Sequence, residues 1–152
     1  NTLAAAFEPR GARTVFPCWD EPGLKAEFLI SIQHNAQYKA VSNMPVQQVL
    51  PIGDDVNVLT IFEKSPPMST YQWSIVVGTL EGITNEYKNM TYWVQPDRLD
   101  DIKFTVDLSP SIVAVIEDYT GIPYVALPKL DSVFIYGYPA AAMENWGAIT
   151  YS

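Results

Sequence analysis

Two polar residues, Glu144 and Asn145, interrupt an apolar stretch near the end of the chain, in the sequence PAAAMENWGAITYS at residues 139–152. A carboxylate is costly to place among apolar groups unless a cation meets it. That cation is either a Lys or Arg of the same fold or a group on a ligand. From these residues alone, Glu144 is a candidate for either an internal ion pair or a ligand contact.

Ligands for metal chemistry are scarce in this sequence. The chain contains one cysteine, Cys18, and one histidine, His34. A hydrolytic zinc site usually takes two or three histidines, and a single cysteine can form neither an internal disulfide nor a Cys-based zinc site. The sequence therefore predicts that this chain alone does not hold a catalytic zinc.

Composition limits the classes of function. The 152 residues are 48% hydrophobic and only 17% charged, which is typical of a globular protein with a packed core. Seventeen acids against nine bases give a net charge of −8, which excludes a nucleic-acid partner because phosphate binding needs clustered Lys and Arg. The missing initiator Met and the stop just after WGAITY favour a piece of a longer protein.

Apolar residues alternate with polar ones over residues 25–95, in segments such as VNVLTIFE at 56–63 and TYWVQ at 91–95. A period of two with turn residues between the segments indicates antiparallel strands, arranged as in a sandwich. The segment CWDEP at 18–22 follows a structural pattern, in which Asp20 or Glu21 pairs with Arg13 or caps a turn.

The pattern changes to helical beyond residues 96–107. The pattern predicts Ser109 as the N-cap, Pro110 at the first helical position and Gly121 as the C-terminal stop. One helical face would then carry Ile112, Val113, Ile116 and Tyr119. We place a domain boundary near residue 97, with residues 1–96 ending a β-domain and residues 97–152 beginning a mixed α and β domain.

Several segments together resemble the zinc aminopeptidases of the aminopeptidase N family, the gluzincins. The main ones are FEPRGARTVFPCWDEPGLKAEF at 7–28 and AAAMENWGAITY at 140–151, with AVSNMP at 40–45 and GIPYVALPKLD at 121–131 between them. The resemblance implies a mainly β fold with some α, in which an antiparallel β-sandwich or saddle domain precedes the opening part of a thermolysin-like catalytic domain.

The same resemblance implies a site for the free end of a peptide. In the family, a glutamate of a Gly-Ala-Met-Glu-Asn segment binds the α-amino group of the substrate, and this residue matches Glu144. A second glutamate from the β-domain converges on the same amine and matches Glu8. Two carboxylates around one ammonium would make charge-assisted hydrogen bonds, which are the stronger kind.

The remaining residues of the matched segment are expected to bind the substrate chain. The backbone of Ala141 and Ala142 would pair with the peptide as an added strand. Met143 would line the pocket for the first side chain, since a thioether adapts to varied shapes. Asn145 completes the substrate-binding set.

The resemblance also implies a cofactor, partners and a cellular location. It implies a zinc cofactor held by a His-Glu-x-x-His helix and a later glutamate, which would lie beyond Ser152. The expected partners are a peptide with a free N-terminus and the rest of the catalytic domain. The expected location is the extracellular face of the plasma membrane, with a cytoplasmic relative as the alternative. The pattern NMT at 89–91 is an N-glycosylation acceptor sequence.

Three positions depart from the family pattern and define an alternative. Ala141 replaces a glycine, Ala6 replaces a glutamine, and Tyr136-Gly137-Tyr138 replaces Pro-Asp-Phe. The alternative to an active aminopeptidase is therefore a catalytically impaired ectodomain that binds peptides or acts as a receptor surface. A free-standing β-rich binding module is disfavoured by the helix after residue 97.

Overall fold

The computed structural model describes residues 2–53, 56–85, 89–124 and 127–152. Strands dominate these ranges, and one long α-helix lies in the second half of the chain. The fold class predicted from the sequence, mainly β with some α, is confirmed. No helix in these ranges has both the length and the apolar character needed to cross a membrane.

Strands of the first half of the chain form two antiparallel three-stranded sheets. Their bounds are β1 Thr2–Ala4, β2 Ser31–Asn35, β3 Lys39–Ser42, β4 Val46–Ile52, β5 Asn57–Phe62 and β6 Ile75–Gly78. One sheet has the order β1-β6-β3 and the other β2-β5-β4. The period-two pattern of residues 25–95 thus correctly predicted antiparallel strands.

A third, five-stranded sheet carries the end of the chain. Its strands are β7 Glu81–Asn85, β8 Met90–Val94, β9 Leu130–Phe134, β10 Ala142–Met143 and β11 Ala148–Tyr151. They lie in the order β10-β11-β9-β8-β7. The pairs β8–β9 and β9–β11 are parallel, and the two outer pairs are antiparallel. Because β8 precedes residue 97 and β9 follows it, this sheet contains strands from both sides of the expected domain boundary. The boundary itself stays a prediction.

Alternate residues of this sheet enter two different cores. On β8, Tyr92 belongs to a cluster that includes Val106 of the helix, while Trp93 packs against a cluster that includes Val41 and Val76. Strand side chains alternate between faces, so one sheet can serve two layers. The helix covers one face of the five-stranded sheet, and the β1-β6-β3 sheet covers the other.

The helix α1, Lys103–Thr120, begins earlier than predicted. Ser109 and Pro110 lie inside it, so the prediction of Ser109 as the N-cap was wrong. Proline in a helix interior leaves the carbonyl four residues earlier without its donor. Here that carbonyl is on Val106, and it accepts a hydrogen bond from Asn85 Nδ2 at 3.4 Å. The partner comes from strand β7, which local sequence does not reveal.

The helix ends as predicted but presents a different face to the sheet. Gly121 adopts φ +67° and its N–H donates to Glu117 O, which is the left-handed C-terminal stop favoured by glycine. The predicted apolar face is largely exposed, with Tyr119 90% and Ile116 55% exposed. The helix instead buries Val106 and Pro110. Of the predicted face, Val113 packs, partly buried, against the cluster that contains Val106.

An ion pair between half-exposed Arg13 and buried Asp20 stabilises the segment between β1 and β2. Arg13 Nε donates to Asp20 Oδ2 at 3.1 Å, and Thr70 Oγ1 donates to Asp20 Oδ1 at 2.6 Å. The structural role predicted for CWDEP, with Asp20 paired to Arg13, is confirmed. The Thr70 hydroxyl is the main cause that lowers the pKa of Asp20; burial opposes it, and Arg13 adds to the lowering.

This arrangement predicts a contribution of Asp20 to acid stability. A carboxyl with a lowered folded-state pKa stabilises the fold above its unfolded pKa of about 3.9 and loses that contribution as pH falls through the folded value. We expect Asp20→Asn to make the fall in urea midpoint below about pH 4 shallower. The matched control is Asp118→Asn, an exposed acid on α1. Equal pH slopes in the two variants would contradict the prediction.

Candidate functional site

The strand β10 lies at an edge of the five-stranded sheet and pairs only with β11 within the described ranges. Ala141 O accepts a hydrogen bond from Ser152 N at 3.1 Å, so the Ala141 carbonyl points toward β11. Backbone groups of successive strand residues point to opposite sides, so those of Ala142 point away from β11. An extended chain can therefore pair with the open side of β10 through Ala142.

Glu144 follows this edge strand directly and is exposed. It makes no salt bridge or side-chain hydrogen bond within residues 2–53, 56–85, 89–124 and 127–152. Within these ranges, Glu144 therefore has no Lys or Arg of the same fold as its cationic partner. The carboxylate is thus available to a cation from outside.

The two neighbours of Glu144 are turned into the protein. Met143 is 4% exposed and packs in the core cluster that contains Val76 and Tyr138. Asn145 is 2% exposed, and its Nδ2 donates to Thr150 Oγ1 at 3.5 Å. Their expected contacts with substrate stay predictions, as does the backbone pairing of Ala141. Because both neighbours are buried, they fix the backbone that carries the exposed Glu144 side chain.

Glu8 lies in a turn that a main-chain bond closes and that the preceding segment attaches to the fold. Before it, Ala5 N donates to Ile75 O at 2.9 Å and the buried Phe7 ring stacks on Trp73 at 5.8 Å between centroids. After it, Gly11 N donates to Phe7 O at 2.6 Å. Glu8 itself is exposed and has no salt bridge in the part of the chain that the structure describes.

The segments that carry the two acids share contacts. Tyr138, which precedes the Glu144 segment, donates from Oη to Ala5 O at 3.5 Å. Ala4 packs against the same cluster as Met143. These contacts link the segment that precedes the Glu8 turn to the segment that precedes Glu144. The meeting of both carboxylates at one ammonium stays a prediction.

Lys129 is the centre of a buried polar network behind the Glu144 segment. It is 8% exposed, and its Nζ donates to Asp131 Oδ2 at 2.9 Å, to Ser42 O at 2.8 Å and to Gly147 O at 2.8 Å. Burial lowers the pKa of Lys129 and raises that of Asp131, and the attraction between the two charges opposes both changes. The ammonium joins strand β3 to the residue that precedes β11.

Asn43 makes a second connection between the same parts of the chain. It is fully buried, and its Nδ2 donates to Gln72 O and to Trp146 O, both at 2.8 Å. Its Oδ1 accepts a hydrogen bond from Ser74 N at 2.8 Å. Every polar atom of this side chain therefore has a partner, which a buried amide needs.

Gly147 allows these two parts of the chain to approach closely. Its φ is +75°, and a Cβ at this position would lie 2.1 Å from Asn43 O. Its N–H donates to Tyr124 Oη at 3.2 Å, while its carbonyl accepts from Lys129 and from Asp131 N. No other residue type fits this position without displacing the backbone.

Sequence reasoning singled out AVSNMP and GIPYVALPKLD only as family-like segments and missed the roles of Asn43 and Lys129. One signal was present for the ion pair: Lys129 and Asp131 are two residues apart at an apolar strand, which places them on one face. No local pattern could indicate Asn43, because its partners Gln72 and Trp146 are distant in sequence. Nor do the described ranges contain a group of three or more His, Cys, Asp and Glu side chains that could hold a metal ion.

Comparison with known protein families identifies the class of protein to which this mainly β fold belongs. The model of the Peptidase M1 N-terminal domain matches residues 1–72, and that of the Peptidase family M1 domain matches residues 104–152. The chain belongs to the M1 peptidase family. The resemblance seen in the sequence is thereby confirmed.

Relatives cover almost the whole chain. It is 42% identical to a glutamyl aminopeptidase of Bos taurus and 41% identical to one of Homo sapiens, in both cases over 99% of this chain and 16% of the relative. It is 40% identical to aminopeptidase M1-C of Oryza sativa subsp. japonica, over 99% of this chain and 17% of that protein. The chain thus spans about a sixth of the length of these curated relatives.

Proposed function

We propose that this chain is part of a zinc-dependent aminopeptidase that removes the N-terminal residue of peptides. In that enzyme it recognises the free α-amine and docks the substrate strand. The observation that carries the proposal is Glu144, an exposed carboxylate without an internal partner in the described ranges, directly after the open edge strand β10.

The arrangement supports a simple mode of substrate binding. An extended peptide adds to the sheet beside β10 and exchanges main-chain hydrogen bonds with Ala142. Its ammonium group then reaches the carboxylate of Glu144, and Glu8 approaches from the attached turn. Charge-assisted hydrogen bonds to the ammonium position the first peptide bond at a fixed distance from the amine.

The same chemistry explains a preference for free N-termini. A blocked terminus brings no cation, so binding would desolvate the two acids without compensation. The enzyme would therefore reject internal segments of a chain and act only at its end. The preference for an acidic first residue that the name glutamyl aminopeptidase implies is a property of those relatives.

The zinc of this proposal is not held by the residues described. They do not fit a metal site, so its ligands are proposed to lie in the remaining catalytic domain. When bound there, the metal would polarise the scissile carbonyl and activate water. The residues of this chain bind and orient the peptide, and hold its amine.

The full-length protein tests the proposal directly. We expect it to release the first residue of a peptide with a free amine, to leave the N-acetylated peptide intact, and to lose activity with a zinc chelator. Binding of the free-amine peptide without any release would instead indicate the catalytically impaired alternative. Chelator-insensitive release, or equal cleavage of the acetylated peptide, would contradict the proposed function.

We also propose that the protein acts at the extracellular face of the plasma membrane. The acceptor asparagine of the NMT pattern, Asn89, is exposed, as glycosylation requires. In the same assay, intact cells that express the full-length protein are expected to hydrolyse an added peptide as fast as lysed cells do. Activity that emerges only after lysis would contradict a location at the cell surface.

A further inference from the structure

We propose that Lys129 and Asn43 are positioning residues, which set the place of the Glu144 carboxylate by holding the backbone of Trp146 and Gly147 against strand β3. This inference rests on the proposed function, because it concerns how the amine-binding acid is oriented. It assigns a role to two buried side chains that do not themselves face the substrate edge.

The segment around Glu144 has few attachments of its own. Strand β10 has only two residues, and its pairing with β11 ends at Met143. The backbone then turns through residues 144–147 before β11 begins. Among the described residues, the turn has one internal main-chain bond, from Ala148 N to Asn145 O at 3.2 Å, and one main-chain bond to a neighbouring strand, from Asp131 N to Gly147 O at 2.9 Å. Such a turn needs further contacts to keep one geometry.

Two buried side chains supply those contacts at consecutive residues. Asn43 Nδ2 donates to Trp146 O at 2.8 Å, and Lys129 Nζ donates to Gly147 O at 2.8 Å. The Lys129 ammonium also binds Ser42 O at 2.8 Å. One cation therefore holds a carbonyl on each side of the junction between β3 and the turn, and a shift of either side breaks a charge-assisted bond.

Burial makes this connection stiff. Lys129 is 8% exposed and Asn43 is fully buried, so water cannot easily replace a protein partner that moves away. The backbones of Gly147 and Asn43 also approach closely here, since a Cβ at position 147 would lie 2.1 Å from Asn43 O. A displacement of about 1 Å in a group that orients substrate can cost on the order of a hundredfold in rate, so the position of this turn matters for Glu144.

Variants of the full-length protein separate positioning from general stability. Lys129→Met combined with Asp131→Asn removes the hydrogen bond from Lys129 Nζ to Gly147 O and leaves no unpaired buried charge. The amide introduced at position 131 can still accept from Trp93 Nε1, which donates to Asp131 Oδ2 at 3.0 Å in the unaltered protein. Asn43→Ala removes the bond to Trp146 independently.

Ser42→Ala is the matched control for these variants. Ser42 Oγ donates to Ser74 O at 2.7 Å in the same buried region, without reaching residues 144–147. Its loss removes one buried hydrogen bond of the junction and leaves the attachments of the Glu144 turn in place. A general loss of stability should therefore appear in this variant as well, whereas a loss of positioning should not.

Each variant is to be assayed alone and together with Glu144→Gln, on a free-amine peptide and on its des-amino analogue. With Glu144 present, we expect the Lys129/Asp131 and Asn43 variants to raise KM for the free-amine peptide roughly tenfold, with a smaller change in kcat and little change for the analogue. In the Glu144→Gln background, we expect no further rise, because the acid through which they act is absent.

The outcomes distinguish the inference from the proposed function. A KM effect that persists in the Glu144→Gln background, or one equal to that of Ser42→Ala, overturns the positioning role while amine recognition by Glu144 stands. If Glu144→Gln alone leaves kcat/KM for the free-amine peptide unchanged, the proposed function fails first. If the Lys129/Asp131 variant does not fold, the Asn43→Ala variant decides by the same criteria.

Discussion

Glu144→Gln in the full-length protein is expected to lower kcat/KM about 100-fold for peptides with a free N-terminus. Glutamine keeps the size of the side chain but loses the charge that attracts the ammonium. A hydrogen bond to a charged group contributes roughly 1.5–3 kcal/mol, and each 1.4 kcal/mol corresponds to about a factor of ten. Since Glu144 is exposed and unpaired in the described ranges, the change should disturb no internal contact there.

The control for this prediction is Glu81→Gln. Glu81 is an exposed acid at the start of β7, on the opposite edge of the same five-stranded sheet. It changes the net charge equally, so it corrects for general electrostatic attraction of a cationic substrate. Steady-state kinetics on a free-amine peptide and on the des-amino analogue provide the measurement. A similar loss in both variants, or an equal loss for both peptides, would contradict amine recognition by Glu144.

Gly147→Ala is expected to destabilise the junction between β3 and the Glu144 turn by about 4 kcal/mol or more, and to abolish activity. The alanine methyl would lie 2.1 Å from Asn43 O, far inside contact distance. Left-handed backbone at a residue with a Cβ adds roughly 1–2 kcal/mol. Relief requires a backbone shift, which stretches the bonds that Lys129 and Asp131 N make to Gly147 O.

Hydrogen exchange measured by mass spectrometry locates this effect. The Asp131 amide donates to Gly147 O at 2.9 Å, so peptides that contain it are expected to exchange faster in Gly147→Ala. The control is Gly137→Ala, where φ is +78° but nothing lies within 4 Å of the added methyl. That variant should cost only about 1–2 kcal/mol from backbone strain. If the two variants are equally stable, the close approach to Asn43 is not what selects glycine at 147.

Local pattern predicted the elements whose causes are local. Strands with a clear period of two, such as β5 and β8, occur where expected, and Gly121 ends α1 through its own backbone conformation. The start of α1 was mispredicted because Ser109 and Pro110 carry a strong N-terminal signal. The Val106 carbonyl that Pro110 leaves without a donor is instead bonded by Asn85, 21 positions away in sequence.

The site shows the same division. Glu144 could be singled out from sequence because an acid among apolar residues is unusual whatever the fold, and the structure leaves it exposed. The network that supports it could not be assembled from sequence, because Asn43 and Trp146 are 103 positions apart. Only the short spacing of Lys129 and Asp131 carried a local signal. The local sequence pattern therefore does not reveal polar contacts between buried side chains that are distant in sequence.

The parallel contact between β8 and β9 has a practical consequence for dividing the protein. Register pairs Met90 with Leu130 and Trp93 with Val133, although the segment between these strands contains the position at which a two-domain scheme would cut the chain. Expressing the two halves separately, with the cut near residue 97, would separate β8 from β9. Each half would then expose a strand edge rich in apolar residues, which promotes aggregation. A cut after β6, at Gly78, would instead keep β7 and β8 with β9 and leave the five-stranded sheet whole.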